Sequence, residues 1–268
     1  MTDRAREIAL GNTILRTRVG SGLYGTGLDG QEDNDEMGIC IEPPSCIIGL
    51  EKVPTENSKG DVKHAPFAQY QYRDQPAGVR SQPGDLELTI YGLRKWASEA
   101  ADGNPNLLQP LFAPIEFWTE WNHHGLELQL NRDMFISKLC GERFIGYLTA
   151  QWHGMLGQRS RRTNRPELIQ EYGFDTKFAY HAVRLGIQGV ELISTGTITY
   201  PIPEPHRTWL KELRVGKHNL GETVELIEDL REELRGLTAA ADLPATPDWF
   251  KINSWLVATY QHWWRTSS

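Results

Sequence analysis

The chain is poor in cysteine. Cys40, Cys46 and Cys140 are the only three in 268 residues, an odd number with no CxxC pair. This favours reduced thiols over a disulfide framework or a thiolate zinc site. The eight histidines are scattered, with no HExxH and no His-Cys grouping at ligand spacing. An essential metal is therefore expected to be a hard ion held by oxygens rather than zinc. No apolar run approaches the roughly 18 residues that span a bilayer. The first residues, Met1 to Glu7, lack the apolar segment of a secretory signal. A cytoplasmic protein with no membrane partner is expected. Repeats and low-complexity tracts are absent too, which excludes solenoids and linker-like chains. Cationic excess is also missing: 28 Lys and Arg stand against 35 Asp and Glu, a net charge of −7. A nucleic-acid partner would need a local basic patch.

What is present suits a globular chain able to bury a sizeable core, with 39% hydrophobic and 24% charged residues. Ile14 to Val19 alternates as a strand and runs into a loop with glycines at 20, 22, 25, 27 and 30. Asp35 to Ile41 reads as a second strand, stopped by Pro43-Pro44. Residues 51–83 are polar, with scattered Gly and Pro, and are expected to form a long irregular insertion. Asp85 to Tyr91 alternates strictly and predicts a strand. A helix should follow through Trp96 and end near Gly103-Asn104-Pro105. Helical patterns then cover residues 134–157, 174–187, 220–237 and 248–264, with a Pro-rich passage at Tyr200 to Pro205.

Asp33 and Asp35 stand two apart where the glycine loop enters a strand, so alternation puts both on one face. Two adjacent carboxylates repel and call for a compensating charge. Mg²⁺ prefers one or two carboxylates, with water and phosphate oxygens completing its shell. A third acid on a neighbouring strand would complete a site for two ions, and either Asp85 or Glu87 could supply it. Upstream, Gly20 permits close backbone approach, and the Ser21 hydroxyl can hold a phosphate. A solvated acidic turn or a calcium-binding lip would also explain the run Glu32 to Glu36.

Gly20-Ser21 followed by Asp33-x-Asp35 resembles the signature of the DNA polymerase β-type nucleotidyltransferase superfamily. Gly20 to Gly27 with Asp33 to Gly38, then Ile90 to Trp96 with Gly103-Asn104-Pro105-Asn106, then Tyr172 to Lys177 with His181 to Leu185, are similar to the RNA-ligase-associated predicted nucleotidyltransferases of phages and bacteria. These matches run in order from about residue 14 to 220. The resemblance implies an α+β fold: a polymerase-β-like mixed sheet with flanking helices, followed by a mostly helical C-terminal region. It implies a catalytic domain over residues 1–130 and a helical domain over 131–268 that closes the nucleotide site. It makes Asp33 and Asp35 metal ligands, Gly20 and Ser21 triphosphate contacts and, by register against Tyr91, Glu87 the third acid. Two Mg²⁺ ions are implied, with Mn²⁺ as a substitute. This sequence departs from the pattern at Glu32, where serine is common, and at Glu87, where aspartate is commoner.

In the second half, Lys177, His181 and Arg184 fall at i, i+4 and i+7, one stripe of a helix. Such a stripe can clamp nucleotide phosphates, or be a plain solvated face. Lys138, near the start of another helix, is a further candidate for the triphosphate. The basic run Gln158 to Arg165 could track a nucleic-acid backbone or complement a helix C-terminus. The tryptophans at 249, 255, 263 and 264 are expected to pack rather than stack on bases. Tyr24 is the aromatic expected near substrate, and His123-His124 is placed in a loop with no role. The expected activity is transfer of a nucleoside monophosphate from an NTP to an acceptor hydroxyl, with an RNA 3′ end as preferred acceptor through the family's link to RNA ligases. Nucleotidylation of a protein or small molecule, and a non-catalytic nucleotide-binding module, are the rival readings.

Overall fold

The computed structural model describes residues 3–28, 30, 34–56, 62–76, 79, 81–158 and 165–266. Among these lie seven strands: β1 (Thr13–Arg18), β2 (Asn34–Cys40), β3 (Val53–Glu56), β4 (Val62–Ala65), β5 (Gln69–Arg73), β6 (Leu86–Gly92) and β7 (Trp118–Trp121). The helices are α1 (Asp3–Gly11), α2 (Gly20–Tyr24), α3 (Pro44–Ile47), α4 (Leu93–Ala101), α5 (Gln109–Phe112), α6 (His123–Leu130), α7 (Lys138–Met155), α8 (Pro166–Tyr172), α9 (Thr176–Thr195), α10 (His206–Arg214), α11 (Leu220–Ala240) and α12 (Trp249–Thr266). The architecture is α+β: a mixed sheet with flanking helices, and a mostly helical second half. The chain divides into two compact units, residues 1–100, 109–134 and 248–268 in one and residues 101–108 and 135–247 in the other.

The first unit is built on a five-stranded sheet of order β5-β6-β2-β1-β7. Its central pair, β2 and β6, is parallel, and the outer pairings are antiparallel. Parallel strands are covered on both faces, and β2 is accordingly buried from Glu36 to Cys40. The alternation of β6 turns Leu88 and Ile90 into a core with Ile8, Ala9, Cys40 and Tyr70. Glu87, Thr89 and Tyr91 fall on the opposite face. Gly38 lets the two central strands close up, since a Cβ there would stand 2.9 Å from Ile90 Cγ1. Three strands, β3 to β5, occupy the segment expected to be irregular. They are short, among the described residues β3 pairs only with β4, and β5 alone alternates, over four residues. The five-residue α2 likewise falls in a stretch expected to lack regular structure, between glycines that serve as its first residue and its left-handed C-cap, Gly25. The terminal helix α12 belongs to this unit. It is docked by Tyr260 Oη donating to Glu42 Oε2 at 2.5 Å and Trp264 Nε1 donating to the Glu42 carbonyl at 2.9 Å.

The second unit packs α7, α9 and α11 on one another. Asp175 caps α9 by accepting from the Lys177 and Phe178 amides, and Gly196 ends it in a left-handed turn. The helix runs on past residue 187, the end of the predicted span, and Gly186 and Gly189 are packing residues there. A Cβ on them would stand 2.8 Å from Leu230 Cβ and 2.7 Å from Leu234 Cδ2. Mid-helix glycine costs about 1 kcal/mol, and the close approach of α11 explains its presence. Asn219 and Glu222 close a capping box at the start of α11.

Candidate functional site

The register of the parallel pair sets Asp35 directly beside Glu87. Residues in register on adjacent strands share a face, so two carboxylates far apart in sequence become neighbours. The Val19 amide donates to the Asp35 carbonyl at 2.9 Å, which brings the end of β1 and the start of α2 over this point. Gly20 has φ +65°, and a Cβ on it would stand 2.8 Å from Asp35 Oδ2. The backbone conformation favours glycine, and a side chain here would displace the Asp35 carboxylate. Its amide donates to Gln109 Oε1 at 3.1 Å. The next residue, Ser21, buries its hydroxyl oxygen with no hydrogen-bond partner. A buried polar atom left unsatisfied calls for an explanation, and an absent ligand is one. Tyr24, expected to face a substrate, is instead 3% exposed and anchors α2 in the core.

Asp33 lies outside the described residues. Asp85 stands before β6, and its carboxylate accepts from the Gln82 amide and from Gln75 Nε2, each at 2.7 Å. Those bonds hold it below the ordinary aspartate pKa and commit it to the turn. Glu87 is the acid in register with Asp35. Its other neighbour in the ladder is Arg73 of β5, whose Nη2 donates to Glu87 Oε1 at 2.7 Å. Ser81 also donates to Glu87. Asp35, Glu87 and Arg73 thus form a row across three strands, and Arg73 supplies the compensating positive charge that closely placed acids require. Arg73 was missed in the sequence because it lies in the stretch read as irregular. The alternation Gln69-Tyr70-Gln71-Tyr72 was the available signal. Glu36, on the opposite face of β2, is buried against Arg16 and accepts from Thr119 at 3.1 Å; it serves the fold.

In the second unit, Lys177, His181 and Arg184 share one face of α9. Lys177 is exposed and Arg184 is 4% exposed, its Nη1 donating to Gln188 Oε1 at 2.6 Å. His181 has its pKa pushed well below the ordinary value, first by burial and then by the charges of Arg184, Lys177, Arg165 and Arg214. Four cations from three segments therefore converge on one neutral imidazole. Arg165 also lies 3.4 Å from the buried carboxylate of Asp175 and over the Phe178 ring. Arg214 sits over the ring of Tyr180. Neither contact follows from local spacing: Arg165 comes from just before α8 and Arg214 from the end of α10. Lys138 donates from Nζ to the Ala239 carbonyl at 3.0 Å, at the C-terminal end of α11, a favourable place for a cation. The basic residues from 159 to 164 lie outside the described residues.

A family model described as RNA repair pathway DNA polymerase beta family matches residues 3–258. An uncharacterised 38.9 kDa protein from the nrdC-mobD intergenic region of Enterobacteria phage T4 is 28% identical over 85 residues. That match covers 32% of this chain and only 23% of the phage protein. A nucleotidyltransferase-like protein from Exiguobacterium sibiricum 255-15 is 12% identical. It aligns over 97% of this chain and 78% of its own, with a TM-score of 0.27, too low for any structural detail to be carried across.

Proposed function

This chain belongs to the RNA repair pathway DNA polymerase beta family, and on that premise we propose that it transfers a nucleoside monophosphate from an NTP to an RNA 3′ hydroxyl, releasing pyrophosphate. The observation that carries the reading is the placement of Asp35 beside Glu87 in the parallel ladder, with Gly20 pressed against the Asp35 carboxylate. Oxygen donors of this kind fit Mg²⁺, and Mn²⁺ in its stead. Asp33, Asp35 and Glu87 are the residues that would hold two such ions. Bound there, they would lower the pKa of the acceptor hydroxyl and neutralise charge on the leaving pyrophosphate.

The chain's own groups do the rest. The orphaned Ser21 hydroxyl has the chemistry to hold a phosphate oxygen, and the missing Cβ of Gly20 leaves Asp35 free of a clash. Arg73 restrains Glu87 and offsets charge in the row. On α9, Lys177 offers a point charge and Arg184 a planar fork to a triphosphate. His181, kept neutral by its surroundings, can donate or accept one hydrogen bond there. Lys138 would have to leave the Ala239 carbonyl, and the buried Arg184 its bond to Gln188, to reach a phosphate, so Lys177 is the principal cation.

Incubation with Mg²⁺, labelled NTPs and a mixed RNA pool tests the reading. Label on RNA supports it. Label only on protein or small molecules supports the second reading, a different acceptor, which the net charge of −7 favours. Measurable NTP binding without transfer makes the chain a nucleotide-binding module.

A further inference from the structure

The histidines at 123 and 124 do not stand in a loop. They are the first two residues of α6, whose N-cap Asn122 accepts from the His124 and Gly125 amides. Successive helical residues normally diverge by about 100° around the axis and do not face each other. Here the two imidazoles lie with ring centroids 3.8 Å apart. His262 of α12, in the same unit, completes a cluster with centroids 5.5 Å from His123 and 5.1 Å from His124. One nitrogen from each of the three rings lies within 4.8 Å of the other two.

Two distances give the cluster chemical meaning. His262 Nδ1 stands 3.3 Å from His124 Nε2. Two imidazole nitrogens bound to one tetrahedral zinc at about 2.05 Å would stand about 3.3 Å apart. The other nitrogen of His124, Nδ1, is buried and lies 3.5 Å from Glu127 Oε2. That nitrogen has no hydrogen-bond partner, and a small shift of Glu127 would give it the orienting carboxylate that a ligating histidine uses. The Trp263 ring, 5.7 Å from that of His124, walls one side. His124 is 2% exposed, whereas His123 and His262 reach solvent, so an ion could enter from outside.

We propose that His123, His124 and His262 bind one zinc-class divalent ion, clipping α12 to the start of α6. Three imidazole nitrogens suit Zn²⁺, Co²⁺, Ni²⁺ or Cu²⁺ and discriminate against Mg²⁺, whose ligands are oxygens. Among the described residues the cluster contains three ligands; water takes the fourth position. The site shares no residue with the Asp35–Glu87 row. Its sequence signal was invisible because His262 joins the adjacent pair only through the docking of the terminal helix.

The test uses the full chain without a polyhistidine tag, stripped with EDTA and dialysed. In excess Mg²⁺, which keeps the carboxylate row occupied, calorimetric titration with Zn²⁺ is expected to give one ion per chain, and Co²⁺ to give the visible absorption of a tetrahedral site, displaced by Zn²⁺. His123→Gln and His262→Gln change exposed side chains, so the fold should survive, as circular dichroism would verify. Each should weaken Zn²⁺ binding by about 100-fold, and Glu127→Gln by about 10-fold. Asp35→Asn should leave the Zn²⁺ stoichiometry unchanged. Absence of stoichiometric binding in the parent chain would overturn the proposal. So would equal affinity in the two histidine variants, or loss of Zn²⁺ binding in Asp35→Asn.

Discussion

In the first unit Asp35 and Glu87 are distant in the chain and adjacent in a ladder, whereas in the second Lys177, His181 and Arg184 lie within two turns of one helix. The acids depend on strand register, so one slipped residue would send a carboxylate to the opposite face. The cations depend on the helical repeat, which persists as long as α9 does. The acids are also restrained from several sides, by the Gly20 backbone and by Arg73, while the exposed end of the cationic stripe is a single long lysine. Geometry-sensitive chemistry is expected of the first arrangement, and charge-driven binding of the second.

The largest effect expected from this contrast is at Asp35. Asp35→Asn keeps the size of the side chain and removes its charge; transfer should fall by at least about 10²–10³-fold. The melting temperature should stay level or rise slightly, because one of two neighbouring carboxylates is neutralised. Full activity in that variant would remove the acidic row from the chemistry. Gly20→Ala comes next. A side chain at φ +65° costs about 1–2 kcal/mol, and its Cβ must push the Asp35 carboxylate aside. Denaturant melts should register the first effect and initial rates the second. An alanine variant with parental rates would mean that the close approach is incidental.

Lys177→Ala should weaken NTP binding by about 10-fold, the scale of one charge-assisted hydrogen bond, with little change in stability. Unchanged nucleotide affinity would remove the exposed end of α9 from nucleotide binding and leave the stripe a packing feature. The smallest effect is one of pH. His181 is held neutral in the folded chain, below its unfolded pKa of about 6.5. As pH falls through that value the unfolded chain takes up the proton first, so stability should be full above it and decline below it. Denaturation midpoints measured between about pH 7 and pH 5 should show the slope, and His181→Gln should flatten it. Persistence of the whole slope in that variant would assign it to other groups.

Part of this molecule was legible from residue pattern. The alternation of Asp85 to Tyr91 is seen as β6, and Gly103, with φ +75°, ends the helical stretch that follows. Positions 134–157, 220–237 and 248–264 correspond to α7, α11 and α12. Residues 51–83 show no sustained period because β3 to β5 are short, and β3 and β4 take their regularity from each other rather than from an apolar period. The choice between Asp85 and Glu87 was open in the pattern, since both project from one face of an extended chain. The turn captures Asp85 and the register sets Glu87 beside Asp35, a difference of placement that the alternation does not carry.

By itself the sequence determined the residue types and local repeats: a glycine-serine loop running into acids, an alternating acidic strand, and a cationic helical stripe. Each follows from interactions within a few residues, where period and backbone preference suffice. Tertiary structure alone decided which distant groups meet. The β2–β6 register joins Asp35 to Glu87, β5 adds Arg73, the segments around α8 and α10 bring Arg165 and Arg214 to His181, and α12 carries His262 to His123 and His124. Those meetings depend on burial and pairing summed over whole elements, which no local spacing encodes.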